Sequence, residues 1–167
     1  MRNTPLDILK QYWDHHQFRP LQEDIITNVI AKKDSFVLLP TGGGKSVCYQ
    51  IPALYMDGVC LVISPVIALM KDQVDGLKAN GISAEYINSS LSSGEIEHIK
   101  RKIQENEVKI LYVAPERLAL EDFKIFLTTI KISLIAIDEA HCISEWGHDF
   151  RQEYRNLKSL KSFFPNT

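Results

Sequence analysis

Long hydrophobic runs are missing from this 167-residue chain, and no apolar stretch approaches the length of a membrane-crossing helix, about 18 residues. Met1 to Lys10 contains no apolar core of a signal peptide, so no membrane is expected among the partners. Cysteine is scarce as well. Cys48, Cys60 and Cys142 are widely spaced and form no Cys-x-x-Cys pair, which argues against a zinc site or a disulfide framework and favours a reducing, cytosolic compartment. Neither sign of charge is in excess. With 19 Lys and Arg against 21 Asp and Glu, the net charge of −2 gives no global basic field to draw in a polyanion, so any nucleic-acid contact must come from locally placed donors and rings. Repeats, low-complexity tracts and linkers are absent, and a composition of 45% hydrophobic and 24% charged residues fits one globular core.

Only 8 glycines are present, but Gly42, Gly43 and Gly44 stand together in SFVLLPTGGGKS, Ser35 to Ser46. With Thr41 ahead of them, they allow backbone N–H groups to approach a phosphate closely, while a helix starting near Lys45 aims its positive end at the same anion. Lys45 supplies a mobile charge for the β/γ-phosphates, and the Ser46 hydroxyl suits a magnesium ligand. The strict pattern G-x-x-x-x-G-K-[ST] fails at its first glycine, where Leu39 stands. Taken alone, the segment also fits a Gly-rich turn with a solvated lysine.

A second segment weighs against that plainer alternative. Ser133 to Ile137 reads as a buried strand that ends in Asp138 and Glu139. A carboxylate leaving a parallel strand at its C-terminal end faces the crevice where such sheets bind ligands. Asp138 is expected to hold the magnesium, and Glu139 to orient or deprotonate the attacking water. Together the two segments point to hydrolysis of a nucleoside triphosphate.

Apolar strand candidates at 35–39, 59–63, 84–87, 109–113 and 133–137 alternate with helical patterns. That alternation predicts an α/β domain, a mostly parallel sheet with right-handed crossovers and helices on both faces. Helix starts are signalled by Thr4 and Pro5, by Ser64 and Pro65 ahead of Leu69, and by a capping box of Ser92 and Glu95 ahead of Ile96, Ile99 and Ile103. Leu21, Ile25 and Val29 lie along one helical stripe, on which Gln22 would be a surface position.

Five segments in order carry a resemblance: HHQFRPLQ (His15 to Gln22), LPTGGGKSVCYQIPAL (Leu39 to Leu54), ISPVIALMKDQV (Ile63 to Val74), YVAPERL (Tyr112 to Leu118) and DEAHCISEWGHDFRQEY (Asp138 to Tyr154). From about His15 onward the chain resembles the RecQ-type DNA helicases, the last segment being the most specific. The resemblance implies a three-layer RecA-like P-loop NTPase domain spanning residues 1–167, the first lobe of a 3′-to-5′ helicase that uses ATP and Mg2+. Gln22 would then bind adenine N6 and N7, with Arg19 beside it. His15 stands where the family commonly has an adenine-stacking aromatic ring. Single-stranded and forked DNA are the implied partners. Ser64, Pro65, Lys71 and Arg117 would run along the DNA backbone, while His141, Trp146, His148, Phe150 and Arg151 would couple DNA binding to hydrolysis. Trp146 and Phe150, four residues apart, also fit a buried helix face. The implied localisation is cytoplasmic and nucleoid-associated in a bacterium, nuclear in a eukaryote.

The family's second helicase lobe, zinc-binding region, winged helix and HRDC domain have no counterpart in these 167 residues. A missing arginine finger typically costs about 10³ to 10⁵ in rate, so the chain by itself is expected to hydrolyse ATP poorly and not to unwind DNA. Two other classes fit parts of the pattern: a stand-alone P-loop kinase or nucleotide switch without a DNA role, and a nucleic-acid-binding fragment without hydrolysis.

Overall fold

A computed structural model describes residues 4–35, 45–64 and 67–137 of the chain. Among the described residues four β-strands form a sheet: β1 (Val59–Ile63), β2 (Ala84–Ile87), β3 (Ile110–Val113) and β4 (Ile132–Ile137). Their spatial order is β2-β3-β1-β4 and every pairing is parallel. The chain therefore passes over β3 between β1 and β2, and over β1 between β3 and β4. Such crossovers demand helices, and the sequence supplies them. The candidate strand at 35–39 lies almost wholly outside the described residues.

Helix starts follow local chemistry. In α1 (Pro5–Trp13) the Asp7 N–H donates to Thr4 Oγ1 at 3.2 Å and the Thr4 N–H donates to Asp7 Oδ2 at 3.1 Å, while Pro5 at the first position forfeits no helical bond. The Thr4 N–H, and after it the Thr4 side chain, also hold the Asp7 carboxyl below its ordinary pKa. The expected box at α5 (Ser93–Gln104) is present in the same form: Glu95 N–H to Ser92 Oγ at 3.2 Å, and Ser92 N–H to Glu95 Oε1 at 3.1 Å. Its Ile96, Ile99 and Ile103 are all buried. Helix α4 (Ile67–Ala79) buries Met70, Val74 and Leu77, and its Leu69 stays exposed.

Strand alternation sorts the core into two faces. Val59, Leu61, Ile63, Leu111 and Val113 pack on one side with α5 and with α6 (Glu121–Thr128), through Ile99, Phe123 and Leu127. Cys60, Val62, Ile110, Tyr112 and Leu134 pack on the other with α4 and with α3 (Val47–Tyr55). Three layers result, helix on sheet on helix, as expected. A third apolar cluster joins α1, α2 (Gln22–Ile30) and α3 through Leu9, Ile26 and Ile51. Among the described residues no helix is long and apolar enough to cross a membrane.

One irregularity marks the β1–β4 seam. Val59 pairs with Ile132 and Cys60 with Leu134, so Ser133 is an extra residue in β4, and its buried hydroxyl has no hydrogen-bond partner among the described residues. Beside it Gly58 adopts φ +111°, and a Cβ there would lie 2.9 Å from the Lys131 carbonyl oxygen. Only glycine fits this approach. At the outer strand β2, Glu85 receives Lys102 of α5 at 2.7 Å and Lys78 of α4 at 3.5 Å, so one carboxylate ties a helix on each face to the sheet edge.

Helix α2 departs from the stripe expected for it. Its buried residues are Gln22 and Ile26; Leu21 is exposed, with Ile25 and Val29 half-buried. The buried face is therefore turned by one residue, because Gln22 is drawn inward by the turn that precedes the helix.

Candidate functional site

That turn is built by Arg19, Pro20, Leu21 and Gln22. The Gln22 N–H donates to the Arg19 carbonyl at 3.1 Å, and Leu21 takes φ 72°, ψ −18°, the conformation of the third residue of a type II turn. The Gln22 side chain closes the same loop from the other direction, its Oε1 accepting from the Arg19 N–H at 2.9 Å. At 4% exposure Gln22 is no surface residue, which overturns the plainer reading of it. An amide side chain carries both donor and acceptor atoms, the character that a purine edge requires. Arg19, His15 and His16 are exposed. Phe18, just before the turn, and Val47, the first residue of α3, both border the apolar cluster shared by α1, α2 and α3.

Lys45 and Ser46 stand at the head of α3, both half-buried. Ser46 is already helical at φ −60°, ψ −37°, and its carbonyl accepts from the Gln50 N–H at 2.9 Å. Its hydroxyl makes no capping bond, so the oxygen is not spent on its own helix and suits a hard cation such as Mg2+. The Cys48 and Tyr49 N–H groups already donate to the Lys45 and Ser46 carbonyls at 3.0 and 3.2 Å, so the positive end of α3 that a phosphate favours lies ahead of Cys48. Thr41, Gly42, Gly43 and Gly44 lie outside the described residues.

Strands β1 and β4 end side by side. Ile63 and Ile137 are register partners at the C-terminal ends of neighbouring parallel strands, β1 leading into Ser64 and β4 toward Asp138. Asp138, Glu139, His141, Trp146, His148, Phe150 and Arg151 lie outside the described residues, as does Pro65. Of the expected backbone contacts, Ser64 is 2% exposed and its N–H extends the ladder to the Val113 carbonyl at 3.0 Å. Lys71 on α4 is exposed and Arg117, in the 3₁₀ turn Pro115–Ala119 after β3, is half-exposed. Arg117 borders a cleft together with Lys100, whose charges are offset by Glu97, Glu121 and Asp122. Asn88 is fully buried, with Oδ1 accepting from the Ser90 N–H at 2.8 Å, so it closes the turn after β2.

A polar group that spacing did not reveal lies behind α3. The Gln50 amide donates to the Tyr112 hydroxyl at 3.1 Å and to Gln73 Oε1 at 3.3 Å, and the Tyr49 and Tyr112 hydroxyls are 2.7 Å apart. Tyr112 sits in an otherwise apolar strand, where an aromatic reads as core. Burial pushes the Cys48 thiol up to about 11 and the Cys60 thiol higher still, so neither is a thiolate nucleophile at neutral pH.

The family model for the DEAD/DEAH box helicase matches residues 19–167. The chain is 50% identical over 166 residues to the ATP-dependent DNA helicase RecQ of Pasteurella multocida, covering 99% of this chain and 26% of that protein. It is 49% identical to the RecQ of Bacillus subtilis, over 96% of this chain and 27% of the relative. Against the ATP-dependent DNA helicase Q1 of Mus musculus identity is 43%, over 96% and 26%. The chain thus spans about a quarter of the length of the curated relatives it matches.

Proposed function

The chain belongs to the DEAD/DEAH box helicase family, and from that membership we propose that it is the ATP-binding lobe of a RecQ-type DNA helicase, coupling hydrolysis to 3′-to-5′ movement along single-stranded DNA. The observations that carry this reading are the burial of Gln22 in its turn and the uncapped Ser46 hydroxyl at the head of α3, with α2 and α3 sharing one apolar cluster. In it, Gln22 and Arg19 take the adenine, and Lys45 with Thr41, Gly42, Gly43 and Gly44 holds the phosphates. Ser46 and Asp138 hold Mg2+, which when bound neutralises charge on the phosphoryl oxygens. Glu139 activates water. His141, Trp146, His148, Phe150 and Arg151 report DNA to the site, while Ser64, Pro65, Lys71 and Arg117 meet its backbone. A second helicase lobe completes the site from the far side of the nucleotide.

ATP turnover measured at the protein's full natural length, with and without single-stranded DNA, tests the reading: DNA should stimulate the rate, and equal rates would refute it. Glu139→Gln should lower the stimulated rate by about 10² to 10⁴ while ATP still binds. Collapse of binding in that variant would instead make Glu139 a structural residue.

A further inference from the structure

Gln50 on α3, Tyr112 on β3 and Gln73 on α4 form one hydrogen-bonded group, although Gln50 and Tyr112 are 62 residues apart in sequence. Gln50 is 3% exposed and Tyr112 fully buried. The two donor hydrogens of the Gln50 amide go to different elements, one to the sheet at Tyr112 and one to α4 at Gln73. Tyr112 is braced in turn by Tyr49, hydroxyl to hydroxyl at 2.7 Å and ring edge to face at 67°. Apolar residues would fill this volume without directional demands. A buried amide committed to two elements fixes their relative position, because a shift of either helix leaves a donor unsatisfied.

The places joined are the functional ones. Helix α3 starts just after Lys45 and Ser46, little more than one turn before Gln50, so a displacement at its head carries Gln50 along. On α4, Lys71 is two residues before Gln73 and exposed. We propose that Gln50 is a positioning residue that ties the phosphate-binding helix α3, through Tyr112 and Gln73, to α4, so that nucleotide at the head of α3 changes the affinity for single-stranded DNA at Lys71. The proposal rests on the functional reading above and adds to it the residues that carry the coupling.

The test measures binding of a single-stranded oligothymidylate by fluorescence anisotropy, with and without a non-hydrolysable ATP analogue, on the protein at full natural length. In the unaltered protein the analogue should change DNA affinity by a factor in the range of about 5 to 150, as coupled sites do. In Gln73→Leu and Gln50→Leu that factor should fall to within about twofold of unity, and in Gln73→Leu the affinity for the analogue without DNA should stay unchanged. Gln73→Glu, which keeps an acceptor oxygen for the Gln50 amide, should restore the factor. A group needed only for packing would lower the melting temperature and leave the factor intact, or weaken both affinities in parallel, and either result overturns the proposal. Gln73 is only half-buried, so its variants serve even if Gln50→Leu fails to fold. Full coupling retained in Gln73→Leu would sink the link alone, whereas absence of any nucleotide effect in the unaltered protein would sink the functional reading and the link with it.

Discussion

Leu21 carries the clearest conflict between residue type and backbone. The type II turn at Arg19–Gln22 demands positive φ at its third position, and a β-carbon makes that conformation costly, by about 1 to 2 kcal/mol. The side chain is 60% exposed and recovers little by burial. Leu21→Gly should therefore stabilise the fold by about 1 kcal/mol, less whatever flexibility glycine adds to the unfolded chain, as read from urea denaturation. Destabilisation would mean that Leu21 makes contacts which offset the strain. For Gln22, one residue on, the resemblance implied an adenine partner, while its burial did not follow from a helical stripe, because a bond back to the Arg19 N–H is a property of the turn and leaves no periodic trace.

At the scale of elements, legibility tracked how local the cause was. Strands β1 and β2 could be placed from short apolar runs bounded by polar residues, and the capping box of α5 from Ser92 and Glu95, three residues apart. Ser92→Ala should cost about 1 kcal/mol and unzip the first turn of α5, visible as faster amide exchange at Glu95 and Ile96. An unchanged exchange rate there would show the box to be idle. The bulge at Ser133 was not legible, since it depends on how closely Gly58 approaches Lys131 across the seam. The Gln50 group was invisible for the same reason: three elements had to be assembled before its partners met.

At the scale of the whole molecule, a charge of −2 limits how DNA can be held. With Lys71, Arg117 and Arg151 as the phosphate-facing cations of this chain, about three counterions would be released, and log affinity should fall against log salt with a slope near −2. A slope steeper than about −5 for this chain would mean that further cations engage the strand. Three layers around a parallel sheet bury the strands on both faces, and that burial made the architecture readable from apolar runs alone.

The strand order has a consequence for synthesis. β1 emerges early, yet its neighbours β3 and β4 are made much later, β3 roughly fifty residues on, which takes about 3 to 10 s at ordinary translation rates. For that interval the ribosome presents an apolar strand, Val59 to Ile63, with both edges unpaired. The nascent chain is then a natural client for chaperones, and slowing translation between Ile63 and Ile137 would be expected to raise aggregation rather than relieve it.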